Sequence, residues 1–162
     1  MYDLRMTPKP PSTSVCEMTE VVLPNDANPL GNMLGGRLLH LIDMAAAVSA
    51  TRHAGAPCVT ASFDSVDFLT PIHIGEVCIL KARVTWTGTT SLEVAVDVFA
   101  ENLLSGERRH ATTAFTTFVA VDQGGQPHKV PPLVPETEEE QRMFREGLSR
   151  REERLSRRRR RT

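Results

Sequence analysis

One stretch constrains this chain more than any other: GGRLLHLIDMAAAVSATRHA, residues Gly35 to Ala54. Leu38, Leu39, Leu41, Ile42, Met44, Ala45, Ala46, Ala47, Val48 and Ala50 leave it almost no polar face. A helix that is apolar nearly all round is a buried helix. An ionisable acid, Asp43, stands in its middle, and a buried carboxylate costs free energy unless it is paired, hydrogen-bonded or used. Asp43 is therefore either a chemical group or a buried acid bonded to a neighbouring strand.

The 162 residues suit one domain, and 40% apolar content is enough for a core. Aromatic residues make up only 5%, so aliphatic and alanine packing must carry that core. The net charge of −1 gives no global reason to expect nucleic acid. It hides an asymmetry, because residues 135–162 hold ten Arg and seven Glu while the remainder is acidic. Cys16, Cys58 and Cys78 are odd in number, widely spaced and in apolar surroundings. They read as small buried hydrophobes in a reducing compartment, not as a zinc site. The N-terminus lacks the apolar core of a signal peptide, and no run approaches a bilayer span. A cytoplasmic location is expected.

Residues 1–14, rich in Pro, Ser and Thr, are expected to be disordered. Residues 15–23 predict a first strand. PNDANPLGNMLGG is a cluster of turn formers that excludes regular structure. The helix follows, with Gly55 placed to cap its C-terminus. The period then changes from helical to two. Strands are predicted over 58–68, 77–87, 91–100 and 110–121, with Leu92, Val94, Val96 and Val98 on one face. The turns between them are short, so the sheet is antiparallel. The economical way to bury such a helix is to curl that sheet around it, giving an α+β chain of about five strands and one long central helix.

Residues 15–132 form the expected domain, and a charged, helix-compatible extension over 133–162 follows it. Met143, Phe144, Leu148 and Leu155 make a thin apolar stripe there. A solvated terminal helix, a subunit contact and a polyanion-binding arm through Arg157–Arg161 all fit that pattern.

Gly35 and Gly36 open the helix and let a ligand approach the unpaired amides of its first turn. Asp43 lies two turns further on, on the face of Gly36. Amides that polarise a carbonyl and an acid that handles water or carbon are the elements of attack on that carbonyl. Asn28, in the irregular loop, is either a group that orients water or carbonyl or a plain turn residue. Asn25, Asp26 and Asn32 read as turn residues. His40 and Asp43 share a face, but no third metal ligand accompanies them, so no metal is expected. Arg52 and His53 end the helix, where cations complement its dipole. Thr89, Thr90 and Ser91 fit ordinary hairpin chemistry. GxSxG, P-loop and GxGxxG motifs are absent from the sequence.

The run PNDANPLGNMLGGRLLHLIDMAAAVSATRHA, followed by VTASFDSVDFLTPIHIGE, TGTTSLEV and TTAFTTFVAVD, resembles the hotdog-fold acyl-CoA thioesterases. Within them it is most like the bacterial YciA type and the brain acyl-CoA hydrolase type. The similarity runs from about Glu17 to Pro132. It implies a curved antiparallel sheet around one helix and hydrolysis of a fatty acyl-CoA to fatty acid and CoA. No cofactor is implied, since coenzyme A is part of the substrate. By position, Asp43 matches the family's catalytic acid and Asn28 its active-site Asn. Gly35 and Gly36 match the pair whose amides face the thioester carbonyl. Gly88, Thr90 and Ser91 fall in a segment that lies near the CoA moiety. The resemblance also implies that Asn28 and Asp43 of one site come from different subunits, in a homodimer with sheets joined edge to edge, assembled as a trimer of dimers. Leu34 departs from the Phe or His of many relatives, and the Arg-rich tail lies outside the pattern. The same fold hosts non-catalytic acyl-CoA sensors, in which the tail would be an effector arm, and hydratases, whose usual histidine is missing from the glycine-rich loop.

Overall fold

The helix at the centre of the chain is held by a sheet that reaches it from every strand. In the computed structural model, which describes residues 6–161, α1 spans Gly35–Ala54. The strands are β1 (Cys16–Val21), β2 (Cys58–Phe63), β3 (Val77–Thr87), β4 (Ser91–Glu101) and β5 (Arg108–Ala120), and α2 spans Glu138–Arg159. The sheet order is β1-β3-β4-β5-β2, with every pairing antiparallel. α1 touches all five strands. This is the curled sheet around one helix that the sequence predicts, the hotdog arrangement.

Alternation explains how the sheet makes that core. Leu92, Val94, Val96, Val98 and Ala100 of β4 point at α1 and join one apolar cluster with Leu38, Leu41, Ile42 and Ala45. Register shifts interrupt the ladders at Val84/Trp86, Val98/Phe99 and Thr60/Ser62. Such bulges bend a strand and increase its twist, which helps the sheet wrap a cylinder. Leu41 is 1% exposed. Truncating it to Ala would cost about 2–5 kcal/mol. Gly55, at φ +63°, takes the left-handed conformation that ends α1.

Four expectations need correction. First, α1 is not buried all round. Met44 and Val48 are 43% and 39% exposed, and Asp43 is only half-buried. The sheet covers one side of the helix, so an apolar stripe stays bare in a single protomer. Second, the strand predicted over 58–68 stops at Phe63. Third, the expected disorder of residues 1–14 does not extend over Pro11–Thr13, a 3₁₀-helix with Pro11 buried, nor over Lys9, which bridges to Leu133. Residues 1–5 lie outside the described residues. Fourth, His53 does not act as an end-of-helix cation. It is fully buried and its Nε2 donates to the Pro131 carbonyl at 2.9 Å, while Arg52 reaches the Val15 carbonyl at 2.6 Å.

α2 lies on the face of the sheet opposite α1. Its N-terminus carries a capping box, in which Thr137 Oγ accepts from the Glu140 amide and Glu140 Oε2 accepts from the Thr137 amide. Its three-glutamate first turn and three-arginine last turn complement the helix dipole. The expected apolar stripe does part of the docking, since Phe144 packs against the core cluster while Leu148 and Leu155 are exposed. Ion pairs do more. Glu93 of β4, with no exposed side-chain surface, accepts from Arg150 Nε and Nη2 at 3.0 and 2.8 Å, from Arg154 at 3.3 Å and from Thr85 at 2.7 Å. Gly147 makes the close crossing possible, because a Cβ there would lie 2.8 Å from Trp86 and 2.9 Å from Glu93. Neither helix is long and apolar enough to cross a membrane, among the described residues.

Candidate active site

Asp43 opens onto a cleft of about 530 Å³ between α1 and the segment that follows β2. Gly36, Leu39, His40 and Asp43 line its helical wall, at the 3- and 4-residue spacing that puts them on one helix face. Phe63, Val66 and Phe68 line the other wall and make it largely apolar. The size falls within the range of small-molecule pockets.

The carboxylate is oriented. Thr60 Oγ1 of β2 donates to Asp43 Oδ1 at 2.7 Å. The β2 bulge falls at Ala61, directly after Thr60, where a strand can re-aim a neighbouring side chain. One oxygen of Asp43 is thus fixed and the group remains half-exposed. The contrast with Glu93 is informative, because that acid is saturated by two arginines and a threonine and sealed from solvent.

Above Asp43 stands the beginning of α1. The first intrahelical bond there runs from the Leu38 amide to the Leu34 carbonyl at 3.0 Å, and Leu34 supplies no side-chain cap. Amides of the first turn therefore precede the helical ladder. A Cβ on Gly36 would meet nothing within 4 Å, so that backbone faces open space. Gly35 differs, since its Cβ would lie 3.3 Å from the Phe68 ring. It lines a separate hollow with Asn32, Met33 and Thr70, not the Asp43 cleft.

Asn28 also lies outside the cleft of its own protomer. Its Oδ1 accepts from the Leu30 and Asn32 amides at 3.0 and 3.1 Å, and its backbone carbonyl accepts from Gly31 at 2.9 Å. Pro29 occupies the position that pre-sets such a turn. These bonds fix the side chain through its oxygen and orient its amide NH₂. Asp26 is held by Arg37 at 3.0 Å, as a structural residue.

Gly88, Thr90 and Ser91 form the β3–β4 turn, where the Gly88 amide donates to the Ser91 carbonyl at 2.8 Å. A Cβ on Gly88 would lie 2.6 Å from the Trp86 ring, so packing requires glycine there. The Thr90 carbonyl accepts from Ala120. Ser91 lines a different hollow, beneath α2. The structure thus joins Asp43 and Gly36 in one cleft and leaves Gly35, Asn28, Gly88, Thr90 and Ser91 elsewhere in the protomer. Thr60, Phe63 and Asp64 escaped the sequence reading. The signal for Thr60 was that an acid on the central helix needs a donor on the next strand.

Burial pushes the Cys78 thiol up to about 12 and the Cys58 thiol up to about 11, so neither is a ready nucleophile at neutral pH. No cluster of three or more His, Cys, Asp or Glu able to hold a metal is present among the described residues.

Residues 30–106 match the model of the thioesterase superfamily. The Bacillus subtilis protein described as the uncharacterized acyl-CoA thioester hydrolase YkhA is 46% identical, over 92% of this chain and 90% of its own. The mouse cytosolic acyl coenzyme A thioester hydrolase is 38% identical over 91% of this chain, which spans only 39% of the length of that protein. A crystal structure of a hexameric acyl-CoA thioesterase superposes with a TM-score of 0.90 at 45% identity, over 93% of this chain and 97% of that one. The acyl-CoA hydrolase of Staphylococcus aureus, solved with butyryl coenzyme A, coenzyme A and coenzyme A disulfide, gives 0.87 at 40% identity, over 93% and 92%. Variants of that enzyme with its Asp43, Asn28 or Thr60 changed to Ala have also been solved. With its curled sheet and long central helix, the chain belongs to the hotdog-fold thioesterase superfamily.

Proposed function

We propose that the Asp43 cleft hydrolyses acyl-CoA thioesters. The oriented carboxylate, held by Thr60 and facing an apolar cleft below the open Gly36 amide, carries this reading. The chain acts as an acyl-CoA thioester hydrolase. Water oxygen bonds to the thioester carbon, the carbon–sulfur bond breaks, and the sulfur leaves to give CoA thiol and a carboxylic acid. Asp43 takes the proton of that water as general base, or attacks first to form an anhydride that water then opens. The Gly36 amide and the α1 N-terminus stabilise the charge developing on the carbonyl oxygen. Thr60 fixes the carboxylate. That the Staphylococcus aureus enzyme was altered at an Asp, an Asn and a Thr with these same three numbers supports the choice of residues.

Asn28 serves the site of a partner subunit, where its NH₂ orients water or carbonyl. Its absence from the Asp43 cleft of its own protomer supports sharing. The bare Met44–Val48 stripe and the edge position of β2 support a homodimer, and the hexameric relative supports its assembly as a trimer of dimers. A cytoplasmic location is supported by the mouse relative, whose name calls it cytosolic.

The test is thiol release, followed with a thiol-reactive dye, over acyl-CoA substrates from acetyl to palmitoyl. Turnover with at least one chain length is expected. Tight acyl-CoA binding without thiol release would replace this reading with that of a sensor. Sharing is tested by mixing Asp43→Ala and Asn28→Ala proteins, which should recover activity after subunit exchange; no recovery after verified exchange contradicts it.

A further inference from the structure

We propose that His73, in the segment that leads into β3, is a positioning residue for thioester hydrolysis: it holds Asn32 in the place from which the Asn32 amide aims the Asn28 side chain. The inference rests on the role given to Asn28 above and adds what keeps that side chain directed.

A carboxamide turns broadly about its last torsion, so its direction is set by the groups that bond it. Asn28 Oδ1 accepts from the backbone amides of Leu30 and Asn32 at 3.0 and 3.1 Å. The Leu30 side chain is 83% exposed and gives that amide little support. Asn32 is the tethered one of the two. It forms an antiparallel bridge with His73, flanked by a bond from the Met33 amide to the Ile72 carbonyl at 2.7 Å and one from the Ile74 amide to the Gly31 carbonyl at 3.0 Å. Its own carbonyl accepts from the Asn28 amide at 2.8 Å, which closes the loop.

Side chains continue this bridge. His73 Nδ1 lies 2.8 Å from Asn32 Oδ1. A carboxamide oxygen only accepts, so Nδ1 carries the proton, and it can donate from a neutral or a charged ring. The His73 backbone amide donates in turn to Glu76 Oε2 at 2.9 Å. Arg109 of β5 donates to both Glu76 oxygens at 2.9 Å and to the Pro71 carbonyl at 3.4 Å. Glu76 is only 8% exposed, and the Arg109 bonds hold its carboxyl below the usual value against the effect of burial. The clamp on the His73 segment therefore stays charged at neutral pH. A set of bonds thus runs from the sheet through Glu76 and His73 to Asn32 and ends at Asn28. His73 lies outside the Asp43 cleft of its own protomer, so within that protomer it acts through Asn28 and not on the acid. The His73–Asn32 bond is exposed and the backbone bridge shares its task. Its loss should therefore slow turnover by a modest factor and leave the loop folded.

The experiment is a double-mutant cycle on the full chain, read as kcat and KM for one acyl-CoA, with urea midpoints as the folding check. His73→Ala should lower kcat about three- to tenfold with KM held within about twofold. His73→Asn puts an N–H donor at similar reach and should return kcat to within about twofold of wild type. In the Asn28→Ala background, His73→Ala should cost nothing further, because the side chain it aims is gone. A His73→Ala enzyme within about twofold of wild type overturns the proposal, as does an equal loss in both backgrounds, which marks a merely structural residue. Mixed oligomers give a second reading. When Asp43→Ala and Asn28→Ala chains are mixed, the recovered site takes its Asn28 from the Asp43→Ala chain. Adding His73→Ala to that chain should lower the recovered rate about three- to tenfold, whereas adding it to the Asn28→Ala chain should leave the rate within about twofold. Equal loss in the two placements overturns the proposal. If mixing recovers nothing, subunit sharing fails and the cycle alone decides His73. If Asn28→Ala is as fast as wild type, the role of Asn28 fails and this proposal falls with it.

Discussion

Thr60 Oγ1 lies 2.7 Å from Asp43 Oδ1, a strand-to-helix hydrogen bond linking residues 17 apart in the chain. It ties one carboxylate oxygen to β2 and fixes how the group faces the cleft. Hydrogen bonds to charged groups contribute about 1.5–3 kcal/mol, less where solvent competes. Thr60→Val should therefore lower kcat about tenfold, while Thr60→Ser stays within about threefold of wild type. Steady-state thiol release from a saturating acyl-CoA measures both. A Val variant as fast as wild type would show that the bond does not prepare the acid.

Glu93 and Arg150 make the second relationship with a clear cost. Arg150 grips both oxygens of a fully buried carboxylate and lies over the Phe115 ring at 3.7 Å. Removing the partner of a buried charge is more costly than removing a surface pair. Arg150→Ala should destabilise the protein by about 3 kcal/mol, the low end for a broken buried pair, because Arg154 and Thr85 still reach Glu93. Urea denaturation followed by circular dichroism measures it. A loss under about 0.5 kcal/mol, the size of an ordinary surface change, would mean that α2 does not depend on this anchor.

His53 gives a pH dependence of stability. Burial holds it below its usual value of 6.5, against the opposing bond to Pro131 and with help from the nearby Lys9 ammonium. Nδ1 is buried without a hydrogen-bond partner among the described residues, so a second ring proton would find no acceptor among them. The folded-state pKa is depressed, so the unfolded chain takes the proton first. The contribution of neutral His53 is complete above about pH 6.5 and is lost as pH falls through the folded value. Unfolding free energy should therefore drop on going from about pH 7.5 to pH 5, and His53→Gln should flatten that slope. An identical slope in the variant would contradict this.

The sequence showed the central helix and the β3–β4 hairpin in detail, because both depend on local periodicity. Gly35 to Gly55 and the alternation from Leu92 to Val98 needed no distant partner to be read. What it could not show depends on approach in space. Thr60 reaches Asp43 only because β2 runs beside α1 and bulges after Thr60. Glu93 looks like an exposed strand residue until Arg150, 57 positions away, closes over it. The apolar pattern of α1 predicts complete burial, yet one protomer covers only the side that faces its sheet. That Asp43 and Gly36 share one helix face was legible from helical spacing alone, whereas the divergence of Gly35 from Gly36 depended on where Phe68 sits.

The most direct test of the account is the turnover of Asp43→Asn. The substitution keeps the shape of the side chain and its hydrogen bond to Thr60 while removing the base and the nucleophilic oxygen. With an unchanged urea midpoint and acyl-CoA binding retained, kcat for thiol release should fall about 100-fold or more. Turnover within about tenfold of wild type would contradict a catalytic carboxylate at this position.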